Sequence, residues 1–490
     1  MATLNKKNTR TKKPDAVNRS GHLAYSMEEK PKLVTQVLTT FFNEPKFYGD
    51  TSRELIETAE RVATNPEGCY FVAQLALYAR DKMNMRTVSH VLAVVVCRAN
   101  ATHKQETARA MVKRLVVRGD DVTNMLATYY GLYGVREPNS LRRGLRDALE
   151  AIHPSAIAKY QEKGKAVSMA DAIKICHPNP NSDKSAQTFK ACLEGTLKVP
   201  RNWKAAVSED ADGNKASWNE LVAAGDLPYM AALRNLRNIL DDDTVTGDTV
   251  KAIMERLSDP AQVKRSRQLP FRYLSAYEAV MSSPRCSTAI TDALEAAFDV
   301  SVEALPRLKG RTIVCIDVSG SMDFRVARQS TVKCSEIAKQ LGYVVGAMSE
   351  DAVIYTFDTK IQREDFSRRA GILAQVRALK NRGGGGTSME LPFNEAIAKK
   401  IDCDRFVVLS DNEVNGYYSS PIQTLADQYR GKTGKNVWVH AVDLQGYGTQ
   451  QFKGARTNVL TGWSEKMLEF IPMVENAEGG MIDEIEKIKI

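Results

Sequence analysis

The chain has 490 residues, of which 43% are hydrophobic and 26% are charged, and this composition excludes a largely disordered protein. Its length exceeds one ordinary hydrophobic core and predicts two or three domains. Basic residues outnumber acidic ones by 68 to 59, so the formal net charge of +9 favours anionic partners only weakly. The longest apolar run, Val91 to Cys97, is far shorter than the roughly 20 residues that span a membrane, so we expect no membrane association.

The cysteines and the N-terminus bear on the cellular location. The eight cysteines include no C-x-x-C pair, which is typical of free thiols in a reducing compartment and predicts a cytoplasmic protein. Residues 1–17 are predicted to form a disordered basic tail, which either keeps the protein soluble or contacts nucleic acid. Its basic residues are Lys6, Lys7, Arg10, Lys12 and Lys13.

Residues 18–300 are predicted to form one domain, in which the apolar pattern from Pro31 to about Phe298 is helical almost throughout. Apolar residues recur at spacings of three and four, as in Val88, Val91, Leu92 and Val95. Breaks such as Asn65-Pro66 divide the pattern into segments of about ten to sixteen residues. Many short helices in antiparallel pairs predict HEAT-like repeats arranged as a ring or solenoid, and a large orthogonal bundle is the alternative.

Basic side chains recur on neighbouring helices of this half. A single basic run is usually a solvated helix face, but several on adjacent helices form a positive stripe suited to a phosphate backbone. Tyr129, Tyr130, Tyr133 and Tyr160 lie among these runs as possible stacking platforms, although aromatic residues at helical spacing usually belong to the core. The candidate RNA-binding residues from this pattern are Arg109, Lys113, Arg142, Arg143 and Arg146, with Lys159 and Lys163 close behind.

Several segments of residues 18–298 resemble the TROVE module of the Ro autoantigen family. They include FVAQLALYARDKMNMRTVSHVLA, AKYQEKGK followed by IKICHPNP, YMAALRNLRNIL and QLPFRYLSAY. The resemblance implies a monomeric ring of helical repeats with a positively charged hole. It implies that single-stranded 3′ ends of misfolded noncoding RNAs bind in the hole and small structured Y-like RNAs bind outside. An exoribonuclease partner, as in some bacterial relatives, is also implied.

Three residues are assigned to RNA through this resemblance. Lys159 and His177 match RNA-contacting positions of the family. Lys163 stands where members often have Arg, so the charge is kept but the bidentate guanidinium is not. Without the resemblance, His177 would be interpreted as a hydrogen-bonded histidine at a helix end before Pro178.

Residues 301–490 change to alternating strands and helices. Short β-branched or aromatic runs at 311–317, 352–357, 406–409 and 437–442 are separated by helical stretches at 326–348 and 391–400. This alternation predicts a doubly wound α/β sheet, in which ligands bind at the carboxyl ends of the strands.

Oxygen-bearing side chains occur at the ends of the predicted strands. Asp317, Ser319 and Ser321 follow the first strand, Thr387 follows four glycines, and Asp411 follows the strand FVVLS. Two carboxylates and three hydroxyls form an oxygen-only site, which suits Mg²⁺ or another divalent cation. The alternative for D-x-S-x-S alone is a set of helix N-caps.

These five positions resemble the metal-ion-dependent adhesion site of von Willebrand factor A domains, matched by DVSGS, GGGT and LSD. In Ro proteins such a domain follows the TROVE module, as it would here. Ser388 departs from the pattern, because many members have Asp after the threonine, and metal affinity is expected to be weaker.

Catalytic motifs are missing from this half. Position 319 is Ser, so the D-x-D of haloacid-type phosphatases is absent, and the glycine run lacks the lysine of a P-loop. Asp317 to Ser321 does not supply the G-x-S-x-G of serine hydrolases. We therefore predict a protein that is not an enzyme, with a Mg²⁺-dependent hydrolase as the weakest alternative.

Together these patterns predict an RNA-binding protein of the Ro type, of the bacterial or phage kind, acting in RNA quality control or as a ribonucleoprotein scaffold. The competing hypothesis is a metal-dependent protein-interaction scaffold, in which the adhesion-type site captures a carboxylate of a partner.

Overall fold

The computed structural model describes residues 13–18, 20–26, 28–39, 50–99, 105–159, 166–197, 216–324, 333–367, 370–379, 383–415, 421–445, 449–461, 467–476 and 481–490. None of the helices in these ranges is both long enough and apolar enough to cross a membrane. The basic tail up to Lys12 lies outside the described residues.

The N-terminal part is a small hairpin followed by helices. The hairpin pairs β1 (Ala16–Val17) with β2 (Leu23–Ala24) in antiparallel register. The helices are α1 (Glu29–Thr39), α2 (Asp50–Val62), α3 (Pro66–Asp81), α4 (Arg86–Ala99), α5 (Gln105–Leu115), α6 (Gly119–Tyr133), α7 (Asn139–Ala151), α8 (Pro154–Lys159), α9 (Met169–Cys176) and α10 (Asp183–Glu194). Next come α11 (Trp218–Ala223), α12 (Tyr229–Arg234), α13 (Leu236–Leu240), α14 (Gly247–Ser258), α15 (Pro260–Ser266), α16 (Pro270–Val280) and α17 (Thr288–Glu303).

The predicted helix breaks have identifiable local causes. At the break before α3, the side chain of Asn65 accepts a hydrogen bond from Gly68 N at 2.9 Å, and Pro66 occupies the first helical position. Both features favour a helix start, because the cap satisfies a free backbone donor and proline lacks the donor altogether. The helical character predicted for residues 31–298 is confirmed for the part that the structure describes.

The C-terminal part is built on a six-stranded sheet. Its strands are β3 (Leu308–Asp317), β4 (Ser349–Phe357), β5 (Ile361–Glu364), β6 (Arg405–Ser410), β7 (Trp438–Asp443) and β8 (Thr457–Thr461). Its helices are α18 (Cys334–Met348), α19 (Ile372–Ala378), α20 (Glu390–Ala398), α21 (Gln423–Thr433), α22 (Met467–Asn476) and α23 (Met481–Glu486). The four predicted strands correspond to β3, β4, β6 and β7, whereas β5 and β8 were not predicted.

The sheet order β5-β4-β3-β6-β7-β8 makes β3 the point where the chain changes direction across the sheet. All neighbouring pairs are parallel except β4 with β5. From β3 the chain passes to β4 on one side and later to β6 on the other. A crevice at the carboxyl ends of β3 and β6 is therefore the expected ligand position in such a sheet.

Helices cover both faces of the central strands. On one face, Phe393 of α20 stacks on Phe406 of β6 with ring centroids 4.5 Å apart, and Tyr429 of α21 completes the same cluster. On the other face α18 packs against β3, where a Cβ on Gly342 would lie 2.5 Å from Ile316 Cδ1. Because helices cover both faces of β3 and β6, these strands are continuous apolar runs in the sequence.

The chain forms two compact units. One comprises residues 1–27 and 207–475, and the other comprises residues 28–206 and 476–490. The domain bounds predicted from the sequence, at 17 and 300, mark changes of composition and secondary structure and stay predictions of sequence units.

Within the second unit, helices α3, α4 and α6 share a buried cluster around Asp121. Arg80 Nη2 donates to Asp121 Oδ2 at 2.8 Å, and His90 Nε2 lies 3.1 Å from Asp121 Oδ1. Burial raises the pKa of Asp121, but His90 and Arg80 more than offset this and lower it to about 2. Burial lowers the pKa of His90. Part of the stretch that most strongly suggested the TROVE resemblance thus holds three helices together.

We predict that Asp121→Asn lowers the free energy of unfolding by about 3 kcal/mol, because Arg80 is left buried without its counter-charge. Urea denaturation followed by circular dichroism measures the change. The matched control is Asp81→Asn, which removes the partly exposed partner of Arg114 at 2.6 Å and should cost less than about 1 kcal/mol. Equal costs for the two variants would contradict the prediction.

The same cluster predicts a pH dependence. The pKa of Asp121 in the folded protein is lowered from its ordinary value of 3.8 to about 2. Its contribution to the free energy of unfolding is therefore fully present well above pH 4 and is lost as the pH falls through that range towards 2. The difference in the free energy of unfolding between the wild type and Asp121→Asn should be constant from pH 5 to 7 and should become smaller below pH 4.

Candidate functional site

The first candidate ligand, Asp317, ends β3 with its carboxylate completely buried. Asp317 Oδ1 accepts a hydrogen bond from Ser319 N at 2.9 Å, and Oδ2 accepts one from Ser410 Oγ at 2.6 Å. Both donors come from the carboxyl ends of adjacent parallel strands or the loop that follows. The sheet edge therefore fixes the orientation of this carboxylate.

The second carboxylate, Asp411, directly follows β6 and is also completely buried. Its Oδ1 accepts a hydrogen bond from Glu413 N at 3.1 Å, and a hydrogen bond from Ser321 lowers its pKa while burial raises it. Ser321 Oγ in turn lies 3.1 Å from Ser319 Oγ. Four of the five predicted ligands are thus linked by direct contacts.

Thr387 reaches this edge on the glycine-rich loop. Gly384 N donates to Val318 O at 3.0 Å and Gly320 N donates to Gly385 O at 2.8 Å, so the loop is fastened to the loop after β3. Gly383 has φ +117° and an added Cβ would lie 1.9 Å from Val318 O. Only glycine permits both the left-handed backbone and this close approach.

The buried carboxylates and unpaired oxygens of the site fit a bound cation. Burial and the charge of Asp411 raise the pKa of Asp317 to about 7. Thr387 Oγ1 and Asp411 Oδ2 are buried without a hydrogen-bond partner in the described structure. A divalent ion would satisfy both oxygens and remove the repulsion between the carboxylates. The side chains present fit a hard cation with oxygen ligands.

The donor set contains only two carboxylates. Accordingly, within the ranges given above, no group of three or more His, Cys, Asp and Glu side chains that would hold a metal occurs. Three hydroxyls would have to complete such a site, as the adhesion-type motif implies.

Two supporting residues were not found from the sequence. Asp358 follows β4, where its Oδ2 accepts from Gly385 N at 3.2 Å and its carbonyl accepts from Ser388 N at 3.0 Å. Asn415 Oδ1 accepts from Thr387 N at 2.6 Å. Asp358 carried the same signal as the ligands, a polar residue at a strand end, whereas nothing local marks Asn415.

The candidate RNA-binding residues on α5 differ in how their charge is balanced. Arg109 is bound in bidentate fashion by Asp147, with Nε–Oδ2 and Nη2–Oδ1 distances of 2.6 and 3.1 Å, and Glu106 lies 3.7 Å away. Lys113 is exposed. Much of the charge of Arg109 is therefore compensated within the protein.

The arginines of α7 lie beside the end of α9. Arg142 and Arg146 are close enough to lower the pKa of the Cys176 thiol, against the stronger effect of burial and the effect of Glu137. The next residue, His177, is exposed and caps α9 in a left-handed conformation with φ 51°. Arg143 is exposed on the same helix as Arg142. Arg142 and Arg146 thus lie near the end of α9, and Arg146 Nε also lies 3.7 Å from Asp147 Oδ1 and 3.9 Å from Glu150 Oε1. We call the set Arg142, Arg143, Arg146 and His177 the α7–α9 surface.

Other candidates are placed differently. Lys163 and Tyr160 lie outside the described residues, and for Lys159 only the backbone, at the end of α8, is described. Tyr129 is buried, while the hydroxyls of Tyr130 and Tyr133 donate to Glu137 and Glu60 at 2.6 and 2.9 Å. These three tyrosines therefore serve packing and internal hydrogen bonding.

A second basic surface was overlooked in the sequence. Lys264, Arg265 and Arg267 are exposed at the end of α15, and residues 260–277 include no acidic residue. Arg267 ends the helix in a left-handed conformation with φ 52°. The run KRSR was visible in the sequence, but a single charge run is usually a solvated face.

Two family models match the chain. The TROVE domain matches residues 195–285, and the Ro60 vWA domain matches residues 311–450. The candidates Arg109 to His177 lie before the matched TROVE segment, whereas the basic surface at the end of α15 lies within it. All five candidate metal ligands lie within the vWA match.

Curated relatives match parts of the chain. The RNA-binding protein RO60 of Deinococcus radiodurans is 26% identical over 340 residues, which are 60% of this chain and 63% of the relative. RNA-binding protein RO60 of Caenorhabditis elegans is 25% identical over 270 residues, 53% of this chain and 41% of the relative. Telomerase protein component 1 of Mus musculus is 37% identical over 105 residues, 21% of this chain and 4% of the relative. The matches thus span less than two thirds of each relative.

A solved structure has the same fold. The crystal structure of the Deinococcus radiodurans RO (RSR) protein superimposes with a TM-score of 0.65 at 20% identity, covering 90% of this chain and 99% of that chain. The predicted combination of a helical module and a von Willebrand factor A-type sheet is confirmed. The chain thus matches a TROVE domain and a Ro60 vWA domain in that order, and it is similar to Ro proteins in sequence and in fold.

Proposed function

We propose that this protein binds noncoding RNA and acts in RNA quality control or as a ribonucleoprotein scaffold. The observation that carries the proposal is the α7–α9 surface, where Arg142 and Arg146 lie near the end of α9 and where Arg143 and His177 are exposed. Guanidinium groups bind phosphates through paired hydrogen bonds and stack on bases. Two relatives named as RNA-binding proteins support the same class of ligand.

The proposed binding mode has two parts. Single-stranded 3′ ends of misfolded RNA enter a positively charged hole formed by a closed ring of the helical module. Structured Y-like RNAs bind the outer basic surface. The protein works as a cytoplasmic monomer without catalysis of its own, and an exoribonuclease partner would degrade the RNA it delivers.

For the sheet edge we propose a Mg²⁺ site held by Asp317, Ser319, Ser321, Thr387 and Asp411. The unpartnered oxygens of Thr387 and Asp411 and the buried carboxylate pair support it. When bound, a Mg²⁺ ion would be balanced in charge by the two aspartates, while its three uncharged hydroxyl ligands would leave it electrophilic enough to attract an acidic group. The residues of this chain would hold that ion at the carboxyl ends of β3 and β6.

A second candidate function uses the metal site alone. Because three of its five protein ligands would be uncharged hydroxyls, the ion would stay electrophilic, and a carboxylate of a protein partner could complete its coordination. The helices would then serve as a docking platform. Protein freshly purified without nuclease treatment separates the two functions, since bound RNA raises the absorbance at 260 nm relative to 280 nm. Complete absence of RNA, together with loss of a protein partner in Asp317→Ala, would favour the scaffold.

The proposed function is tested with one RNA hairpin in two forms, with and without a single-stranded 3′ tail. Fluorescence anisotropy should show tighter binding of the tailed form. The affinity should fall with salt by about 0.7 logarithmic units per logarithmic unit for each phosphate neutralised on the single strand. Equal binding of both forms would contradict recognition of 3′ ends, and salt-independent binding would contradict phosphate contacts.

The α7–α9 surface predicts the effect of a triple variant. Arg142→Gln with Arg143→Gln and Arg146→Gln should weaken RNA binding by at least about tenfold near 0.15 M salt and reduce the salt slope by about two. Arg109→Gln should have a smaller effect than Arg143→Gln, because Asp147 already balances Arg109.

The matched control removes the same charge elsewhere, through Lys264→Gln with Arg265→Gln and Arg267→Gln. A larger loss in this control than in the α7 variant would place the principal RNA contact on the TROVE-matched segment instead. Thermal unfolding of both variants verifies that the fold is intact.

The metal site predicts opposite effects of one substitution with and without Mg²⁺. In EDTA, Asp411→Asn should leave the melting temperature unchanged or raise it, because it removes one of two buried like charges. Mg²⁺ at one hundred times its dissociation constant should stabilise the wild type by about 2.7 kcal/mol and the variant hardly at all. Equal stabilisation of both proteins by Mg²⁺ would exclude Asp411 as a ligand.

A further inference from the structure

The N-terminal hairpin packs against the loop that carries Asp411. Residues 16–24 and 411–415 belong to the same compact unit although about 390 residues separate them. The hairpin closes on itself, because Asn18 N donates to His22 O at 2.9 Å and His22 N donates to Asn18 Oδ1 at 2.7 Å. One side of the Asn18 amide is thus used inside the hairpin.

The amide nitrogen of Asn18 binds the 411–415 loop. Asn18 Nδ2 donates to the carbonyls of Asn412 and Val414 at 3.3 and 3.2 Å, and the Asn18 side chain is buried, with 5% exposure. Ser20 Oγ donates to Glu413 Oε2 at 2.8 Å. Three consecutive loop residues are therefore contacted from the hairpin.

A second attachment fixes the hairpin in place. Tyr25 and Gln450 exchange backbone hydrogen bonds, with N–O distances of 2.9 and 3.1 Å. The neighbouring Gln451 donates from Nε2 to Asn412 O at 3.4 Å, so Asn412 O receives donors from both Asn18 and Gln451.

The loop has reasons to need this support. Asn412 adopts the left-handed conformation with φ 61°, which costs a non-glycine residue backbone energy. The loop begins with the buried carboxylate of Asp411 and ends with Asn415, whose side chain and backbone bind Thr387 at 2.6 and 3.3 Å. Its conformation therefore sets the position of two candidate metal ligands that come from different elements.

We propose that the N-terminal hairpin is a positioning element of the metal site, with Asn18 as its principal residue. The inference rests on the proposed divalent-cation site. By clamping the 411–415 loop, Asn18 holds Asp411 and Thr387 at the spacing that the cation requires, and cation affinity depends on a segment outside the vWA-matched residues. Residues that orient metal ligands typically contribute 10- to 100-fold in affinity.

The test is Asn18→Asp in the full chain. This substitution keeps the shape and the acceptor for His22 N, but it replaces the donor that faces two carbonyl groups. The probe is Mn²⁺, which accepts the same oxygen ligands and whose free form is measured by electron paramagnetic resonance. We expect Mn²⁺ binding at least tenfold weaker than in the wild type, with little change of far-ultraviolet circular dichroism.

Two further variants keep the test decisive. Val17→Ala changes a side chain that is 58% exposed on the same hairpin, and it should leave Mn²⁺ affinity unchanged. Ser20→Ala removes only the contact with Glu413 and should weaken Mn²⁺ binding by a few-fold. This variant therefore tests the positioning role of the hairpin if Asn18→Asp does not fold.

The outcomes separate the two proposals. If wild type binds Mn²⁺ and the Asn18 and Ser20 variants bind equally well, the positioning role is overturned while the metal site stands. If the variants are less stable in EDTA but bind Mn²⁺ with wild-type affinity when folded, the hairpin is merely structural, and the inference is wrong. If wild type binds no Mn²⁺, the metal site itself fails.

Discussion

The parallel pairing of β3 with β6 is the constraint on which the C-terminal half depends. It places Asp317 and Asp411 at the same edge of the sheet, both fully buried and close enough for the charge of Asp411 to raise the pKa of Asp317. Burying two like charges is unfavourable unless a cation or several donors compensate them. Donors from Ser319, Ser410 and Glu413 compensate part of the charge. Among the described residues, Asp411 Oδ2 and Thr387 Oγ1 are buried without a hydrogen-bond partner, so the side chains at this edge fit a hard cation.

The helical half shows how incompletely a charge pattern in sequence describes a surface. Arg109, Arg142, Arg143 and Arg146 look equivalent as residues on successive helices. In the folded protein, Asp147 binds Arg109 at 2.6 Å, whereas Arg143 is exposed. An arginine bound by a carboxylate must give up that pair or share it before it can neutralise a phosphate, so its net contribution to RNA affinity is smaller.

Much of the sheet and its edge was predictable because the signals are local. A strand followed by D-x-S-x-S, four glycines before Thr387 and a strand ending at Asp411 each identify a position without knowledge of distant contacts. The hairpin was not predictable, because two-residue strands have no periodicity. Its contact with the 411–415 loop was not predictable either, because the carbonyl groups that Asn18 binds lie 394 and 396 residues away. Asn18 and Asn415 carry no local signal, since their importance comes from the backbone groups they meet. β5 and β8 were missed because they are short edge strands of mixed polarity.

The compact unit that contains the sheet also contains α11–α17, and this bears on how the two halves of the sequence work together. α17 packs against α18 and α19, and Arg377 of α19 donates to Tyr277 of α16 at 2.8 Å while its guanidinium lies 5.2 Å from that ring. Tyr277 lies in the matched TROVE segment and α17 follows that segment, and both contact helices of the sheet that carries the candidate metal site. A boundary near residue 300 separates two patterns of secondary structure, and these contacts cross it. Since α16, α17 and the sheet belong to one compact unit, a packed interface and not a flexible linker joins them.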